Sequence, residues 1–156
     1  MQDALQRAAT TLATRWRERA HIDQLPVGDR PRSRAEGYAA QALWPQLLGE
    51  AVAGWKIAAT SEAGQRHIAV SGPLAGPVFA SRVQADGANV SLASNRMRVA
   101  ECEVVFRFGR TLAPRAQGYS RAEVLAAVAT VHPGLEVPDS RFAQFEHAGE
   151  AQLIAD

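Results

Sequence analysis

Lysine is almost absent from this sequence. Of its seventeen basic residues sixteen are arginine, and the single lysine is Lys56. Cysteine is as scarce: Cys102 stands alone, which excludes an internal disulfide and suits a reducing, cytoplasmic setting. No apolar run is long enough to span a membrane, and Met1 leads into an amphipathic pattern, so neither membrane insertion nor export is expected. A net charge of +1 gives no general field for nucleic acid or anionic lipid, and the arginine clusters RWRER (Arg15 to Arg19) and RPRSR (Arg30 to Arg34) read as solvated helix and loop charges. Without a Cys/His cluster there is no basis for structural zinc. What is present is a globular composition, 47% apolar and 21% charged over 156 residues, enough for one core.

The hydrophobic pattern places helices first. Asp3 is positioned to cap a helix with Leu5, Ala9, Leu12 and Trp16 at helical spacing, ending near His21. LPVGDRP reads as a loop, and Ser33 with Glu36 forms a capping-box pattern opening a second helix that Pro45 interrupts. From Ala51 the pattern turns to extended segments: AVAGWKIA, PVFASRV, ANVSL and RVAECEVVFRFG. A second capping box, Ser120 to Glu123, predicts a helix EVLAAVATV that His132-Pro133-Gly134 stops, followed by a short strand LEV. This order predicts an α+β fold, with a helical region over residues 1–50 and a strand-rich region over 51–156 within one domain.

Lys56 lies between Trp55 and Ile57 in a run of small and apolar residues. A lysine there either snorkels to water or serves where a titratable ammonium is needed, a task a guanidinium cannot perform. In the segment RVAECEVVFRF, Ala100, Cys102, Val104, Phe106 and Phe108 form one apolar face that reads as core, while Glu101, Glu103, Val105 and Arg107 occupy the other. Alternate strand residues stand roughly 7 Å apart, so the carboxylates of Glu101 and Glu103 can converge in front of the sheet. Their repulsion is relieved by a proton, by an arginine such as Arg107, or by a divalent cation. Glu136, held between Leu135 and Val137 in PGLEVPDSRF, adds a third carboxylate from a second rigid segment, a donor set matching Mg²⁺ or Mn²⁺.

Four stretches, RAEGYAAQ (Arg34 to Gln41), GWKIAATS (Gly54 to Ser61), AECEVVFRFGRTL (Ala100 to Leu112) and HPGLEVPDSRF (His132 to Phe142), together carry a family pattern. The chain resembles the 2-keto-4-pentenoate hydratases and the related oxalocrotonate decarboxylases of the fumarylacetoacetate hydrolase superfamily. The resemblance implies N-terminal helices followed by part of a mixed β-roll. It places Glu101, Glu103 and Glu136 on the family's metal-ligand positions and Lys56 on its active-site lysine, with Mg²⁺ or Mn²⁺ as cofactor. It implies a lyase adding water to a small unsaturated 2-oxo acid such as 2-hydroxypenta-2,4-dienoate, in the catabolism of aromatic compounds. A 2-oxo acid decarboxylase and a non-catalytic binding or assembly module are the alternatives.

Two departures from the family are visible: Ala58-Ala59 stands where members commonly carry a Gly-Leu-like pair, and family members continue well beyond AQLIAD. Sheet edges and the apolar face around Phe106 are therefore expected to lack part of their cover and to favour a homo-oligomer. No nucleic-acid or membrane partner is expected. Among the remaining residues, His67 reads as a loop histidine or a residue lining the site. Cys102 reads as inert packing, and His21, His132 and His147 as residues of helix ends or loops. Asp139 and Arg141 read either as groups orienting Glu136 or as a surface pair.

Overall fold

The computed structural model describes residues 2–156 and shows an α+β fold. The helices are α1 (Gln2–Glu18), α2 (Arg34–Gln41), α3 (Trp44–Leu48), α4 (Glu62–His67), α5 (Arg121–Leu125) and α6 (Glu150–Ala155). The strands are β1 (Val52–Ala58), β2 (Leu74–Phe79), β3 (Glu101–Phe108) and β4 (Val128–Glu136). They pair as two separate antiparallel ribbons, β1 with β2 and β3 with β4. The chain divides into two compact units: one runs to Arg96 and resumes over Ser140–Asp156, and the other is Met97–Asp139. These units follow packing rather than the sequence division at residue 50, because β1 and β2 belong with the helices.

The first unit holds the core. Ala8, Ala9 and Leu12 of α1 recur at helical spacing and pack with Leu25, Ala40, Trp44, Phe79, Phe142, Ala148 and Ala155. Trp16 meets Trp44 edge-on at 5.5 Å and Phe79 at 6.3 Å. Arg141 is ion-paired with Asp156 at 2.6 Å, both side chains largely buried, and its guanidinium lies 4.7 Å from the Trp16 ring centre. Arg141 is thus part of this packing.

Several local expectations are revised. α1 begins at Gln2, so Asp3 sits in its first turn, where a carboxylate complements the helix dipole. The helix ends at Glu18, with Arg19 in the left-handed region (φ 54°). At α2 the Ser33 hydroxyl accepts from the Glu36 N–H as expected, while the Glu36 carboxylate turns to the Arg32 N–H at 2.7 Å. Residues 88–92 form no strand. The helix read over EVLAAVATV stops at Leu125, and Val128–Glu136 is strand: β-branched Val128, Thr130 and Val131 favour extended backbone, and pairing along the whole of β3 outweighs the helical spacing.

The second unit is the β3–β4 ribbon with α5. Its apolar face, read as core, is open: Val104 is 62% exposed, Phe106 and Phe108 48%, and Leu135 74%. Cys102 is exposed with them, which corrects its reading as inert packing. A two-stranded ribbon can bury neither face by itself.

The helix α5 starts at the complete Ser120–Glu123 capping box. Arg115 donates two hydrogen bonds of 2.9 Å to the Glu123 carboxylate, and the Ser120 N–H and hydroxyl each donate one of 2.8 Å. The Arg115 hydrogen bonds first, and those of Ser120 next, hold this carboxyl down to about 2, against an ordinary 4.5. Because the folded value is the lower, the stabilisation is complete above pH 4.5 and disappears as pH falls toward 2. Glu123→Gln is therefore expected to lower the thermal midpoint at pH 7, with the gap from wild type narrowing once the pH drops below 4.5. Circular-dichroism melts from pH 7 downward check this, and a gap independent of pH would contradict it.

Candidate metal centre

Register is what assembles the acidic cluster. In the β3–β4 ribbon Glu101 pairs directly with Glu136, and Glu103 pairs with Gly134. Directly paired residues share a face, and alternation puts Glu101 and Glu103 on the same one, so all three carboxylates project from one side of the ribbon. A ligand oxygen from each lies within 4.8 Å of the others. Glu101 is exposed and Glu136 half-buried, held by the rigid strand at its place. Gly134 leaves the position beside Glu103 without a side chain, and Val105 leans into that space: a Cβ at Gly134 would come within 2.8 Å of Val105 Cγ2.

Three carboxylates this close repel by on the order of 1 kcal/mol per pair even at the dielectric of water. A hard dication removes that repulsion and prefers an all-oxygen donor set, with neighbouring ligand oxygens roughly 3 Å apart when it binds at about 2.1 Å. Small rotations of the side chains bring oxygens within 4.8 Å to that spacing. The residues fit Mg²⁺ or Mn²⁺ by charge, donor type and reach.

The same face continues with Val105 paired to His132 and Arg107 paired to Thr130. His132 Nε2 lies 2.8 Å from Thr130 Oγ1. His132 was read as a helix-stop residue; it stands on β4, on the face of the glutamates, and only the strand assignment of Val128–Glu136 could have shown this. Asp139 Oδ1 accepts from the Met97 N–H at 3.4 Å.

Lys56 belongs to the first unit, on β1, directly opposite Gly76 of β2. It is exposed. The structure thus brings the three glutamates together within one unit and sets Lys56 on a strand of the other. His67 closes α4 with its ring 6.3 Å from that of Phe145, a packing contact. His147 lies 3.4 Å from Gln144 Oε1 in a short turn.

No protein-family model matches the chain. A 2-keto-4-pentenoate hydratase from Burkholderia vietnamiensis is 35% identical to it over 127 residues, 80% of this chain and 46% of that protein. A 4-oxalocrotonate decarboxylase from Pseudomonas putida G7, complexed with magnesium and adipate, superposes with a TM-score of 0.84 at 20% identity, over 99% of this chain and 59% of that one. The same enzyme complexed with calcium and acetate gives 0.82, also at 20% identity, over 99% of this chain and 58% of the other. The family that the sequence match supports is that of the 2-keto-4-pentenoate hydratases. The chain spans about half the length of the curated hydratase it matches. The decarboxylase superpositions show that the fold is shared over nearly all of this chain.

Proposed function

We propose that the chain carries the metal-binding half of a divalent-metal-dependent lyase that adds water to a small unsaturated 2-oxo acid, such as 2-hydroxypenta-2,4-dienoate, in the cytoplasmic breakdown of aromatic compounds. The observation that carries this reading is the convergence of Glu101, Glu103 and Glu136 on one face of the β3–β4 ribbon. The name of the relative from Burkholderia vietnamiensis supports the choice of hydration. None of the described helices is long and apolar enough to cross a membrane.

The three glutamates would hold Mg²⁺ or Mn²⁺ through one oxygen each, leaving its remaining positions to solvent and substrate oxygens. A cation bound there supplies Lewis-acid stabilisation of negative charge developing on the 2-oxo oxygen. Lys56 Nζ would hold or deliver the proton that balances the reaction: water oxygen bonds to one carbon of the conjugated double bond, and a proton adds at the other end of the conjugated system. Lysine fits that role because its ammonium gives up and regains a proton where arginine does not. An imine between Lys56 and the substrate is not needed, since the cation already serves as the electron sink.

Decarboxylation of a 2-oxo acid is the second reading, favoured by the superposition on an oxalocrotonate decarboxylase. Both reactions develop charge on the same oxygen, so the same residues serve either. The experiment is a spectrophotometric assay with Mg²⁺, following loss of dienoate absorbance for hydration and release of carbon dioxide from an oxalocrotonate for decarboxylation. Metal-dependent loss of absorbance supports the first reading and carbon dioxide release the second. A chain that binds metal but turns over neither substrate, even with the additional length of its relatives supplied, would instead be a binding module.

A homo-oligomer is part of the same proposal, on the strength of the open face of Val104, Phe106, Phe108 and Leu135. Sedimentation of the 156-residue chain is expected to show self-association, and Phe106→Ser combined with Leu135→Ser is expected to shift it toward monomer. A compact wild-type monomer at all concentrations would contradict this.

A further inference from the structure

Two residues of the α2 stretch RAEGYAAQ have no part in the metal chemistry, yet both reach the same residue of β2. The Tyr38 hydroxyl oxygen accepts a hydrogen bond from the Ala75 N–H at 3.1 Å, and Gln41 Nε2 donates to the Ala75 carbonyl at 3.0 Å. Gln41 is buried, and the same amide nitrogen also donates to the Ile154 carbonyl at 2.9 Å. Among the described residues β2 has one strand partner, β1, so its outer edge would otherwise leave these backbone groups unpaired. The side chains of α2 take the place of a third strand there.

This edge bears on Lys56 through register. In an antiparallel pair the backbone groups of successive residues point alternately toward the partner strand and away from it. Those of Ala75 point away, to α2, and so those of Gly76 point to its pair partner, Lys56. The side chain of Lys56 follows the same route: a Cβ added at Gly76 would lie 3.5 Å from both Cγ and Cε of Lys56. The lysine stem therefore lies across Gly76, on a strand whose other edge is fastened by Tyr38 and Gln41.

We infer that Tyr38 and Gln41 are positioning residues for Lys56: by fastening β2 at Ala75 they fix the strand segment, Gly76, on which the lysine stem rests. The inference depends on the reading of Lys56 as the proton-handling group, and it explains why a helix far along the chain from β2 carries a tyrosine and a buried glutamine. It also assigns Gly76 a role, as the seat that a larger residue would fill.

Because Lys56 is the only lysine, it offers a readout that needs neither metal nor turnover. Reductive methylation with ¹³C-formaldehyde gives one lysine signal, resolved from that of the N-terminal amine. In Tyr38→Phe and in Gln41→Leu that signal is expected to shift or broaden. The rate of Lys56 acylation by an amine-selective reagent is expected to change by roughly threefold to tenfold, the effect of losing one net hydrogen bond at the strand edge. Mg²⁺ affinity at the glutamates is expected to stay at the wild-type value. Gly76→Val, which leaves both α2 contacts intact, is expected to move the same signal directly and keeps the test available should the α2 variants not fold. Leu5→Ala, a packing change in α1, is the control and is expected to leave signal and rate unchanged. Wild-type signal and rate in the folded variants would overturn the inference, as would an equal response in Leu5→Ala. A moved signal without any lyase activity in the wild type would leave the positioning intact and count against the reaction instead.

Discussion

Glu103→Gln is expected to weaken Mg²⁺ or Mn²⁺ binding by more than roughly 100-fold, beyond the 10- to 100-fold that loss of an outer-shell partner typically costs. Glutamine preserves the size of the side chain and one carbonyl oxygen but removes a full negative charge, and a hard cation is held chiefly by charge. The change sits on an open strand face beside Gly134, so it should leave β3–β4 pairing intact. It also relieves repulsion among the three carboxylates in the metal-free protein, so the variant should be no less stable than wild type without metal. Calorimetric titration reads the affinity and thermal melts with chelator read the stability. Unchanged affinity would remove Glu103 from the site.

Lys56→Arg is expected to lower turnover by roughly 10²- to 10⁴-fold in an active form of the protein, the range for loss of a positioned general acid or base. Charge is retained, so the loss isolates the proton-handling role from simple electrostatics. Metal affinity should stay close to wild type, because the positive charge at this position is retained and the three carboxylate ligands are untouched. Arginine is also bulkier at its head, and Lys56→Met separates the two effects: it removes the charge while keeping a flexible stem over Gly76. Full activity in Lys56→Arg would return this lysine to the role of a strand residue snorkelling to water.

How far the site was legible can be followed residue by residue. The two-residue spacing of Glu101 and Glu103 shows in the sequence, because alternation along a strand is local. That Glu136 stands directly opposite Glu101 is a matter of register, which depends on pairing between segments far apart in the chain. The same non-local pairing explains the misread segment Val128–Val131: its apolar spacing suits a helix, yet β3 offers it partners from Phe106 to Phe108. His132 was missed for that reason. The apolar face of Val104, Phe106 and Phe108 was legible as apolar, whereas its exposure depends on what packs against it, which no periodicity reports. Gly76 opposite Lys56, and α2 fastening Ala75, are likewise products of tertiary contact; the sequence shows only that a tyrosine and a glutamine recur one helical turn apart.

The most direct test of the metal centre is crystallography with Mn²⁺, using anomalous scattering to locate the ion without assumptions about coordination. The expected result is one strong peak on the glutamate face of the β3–β4 ribbon, about 2.1–2.2 Å from an oxygen each of Glu101, Glu103 and Glu136, lost in crystals of Glu103→Gln. A saturated crystal with no peak between these carboxylates, or with its ordered ion elsewhere, would contradict the assignment and with it the proposed chemistry.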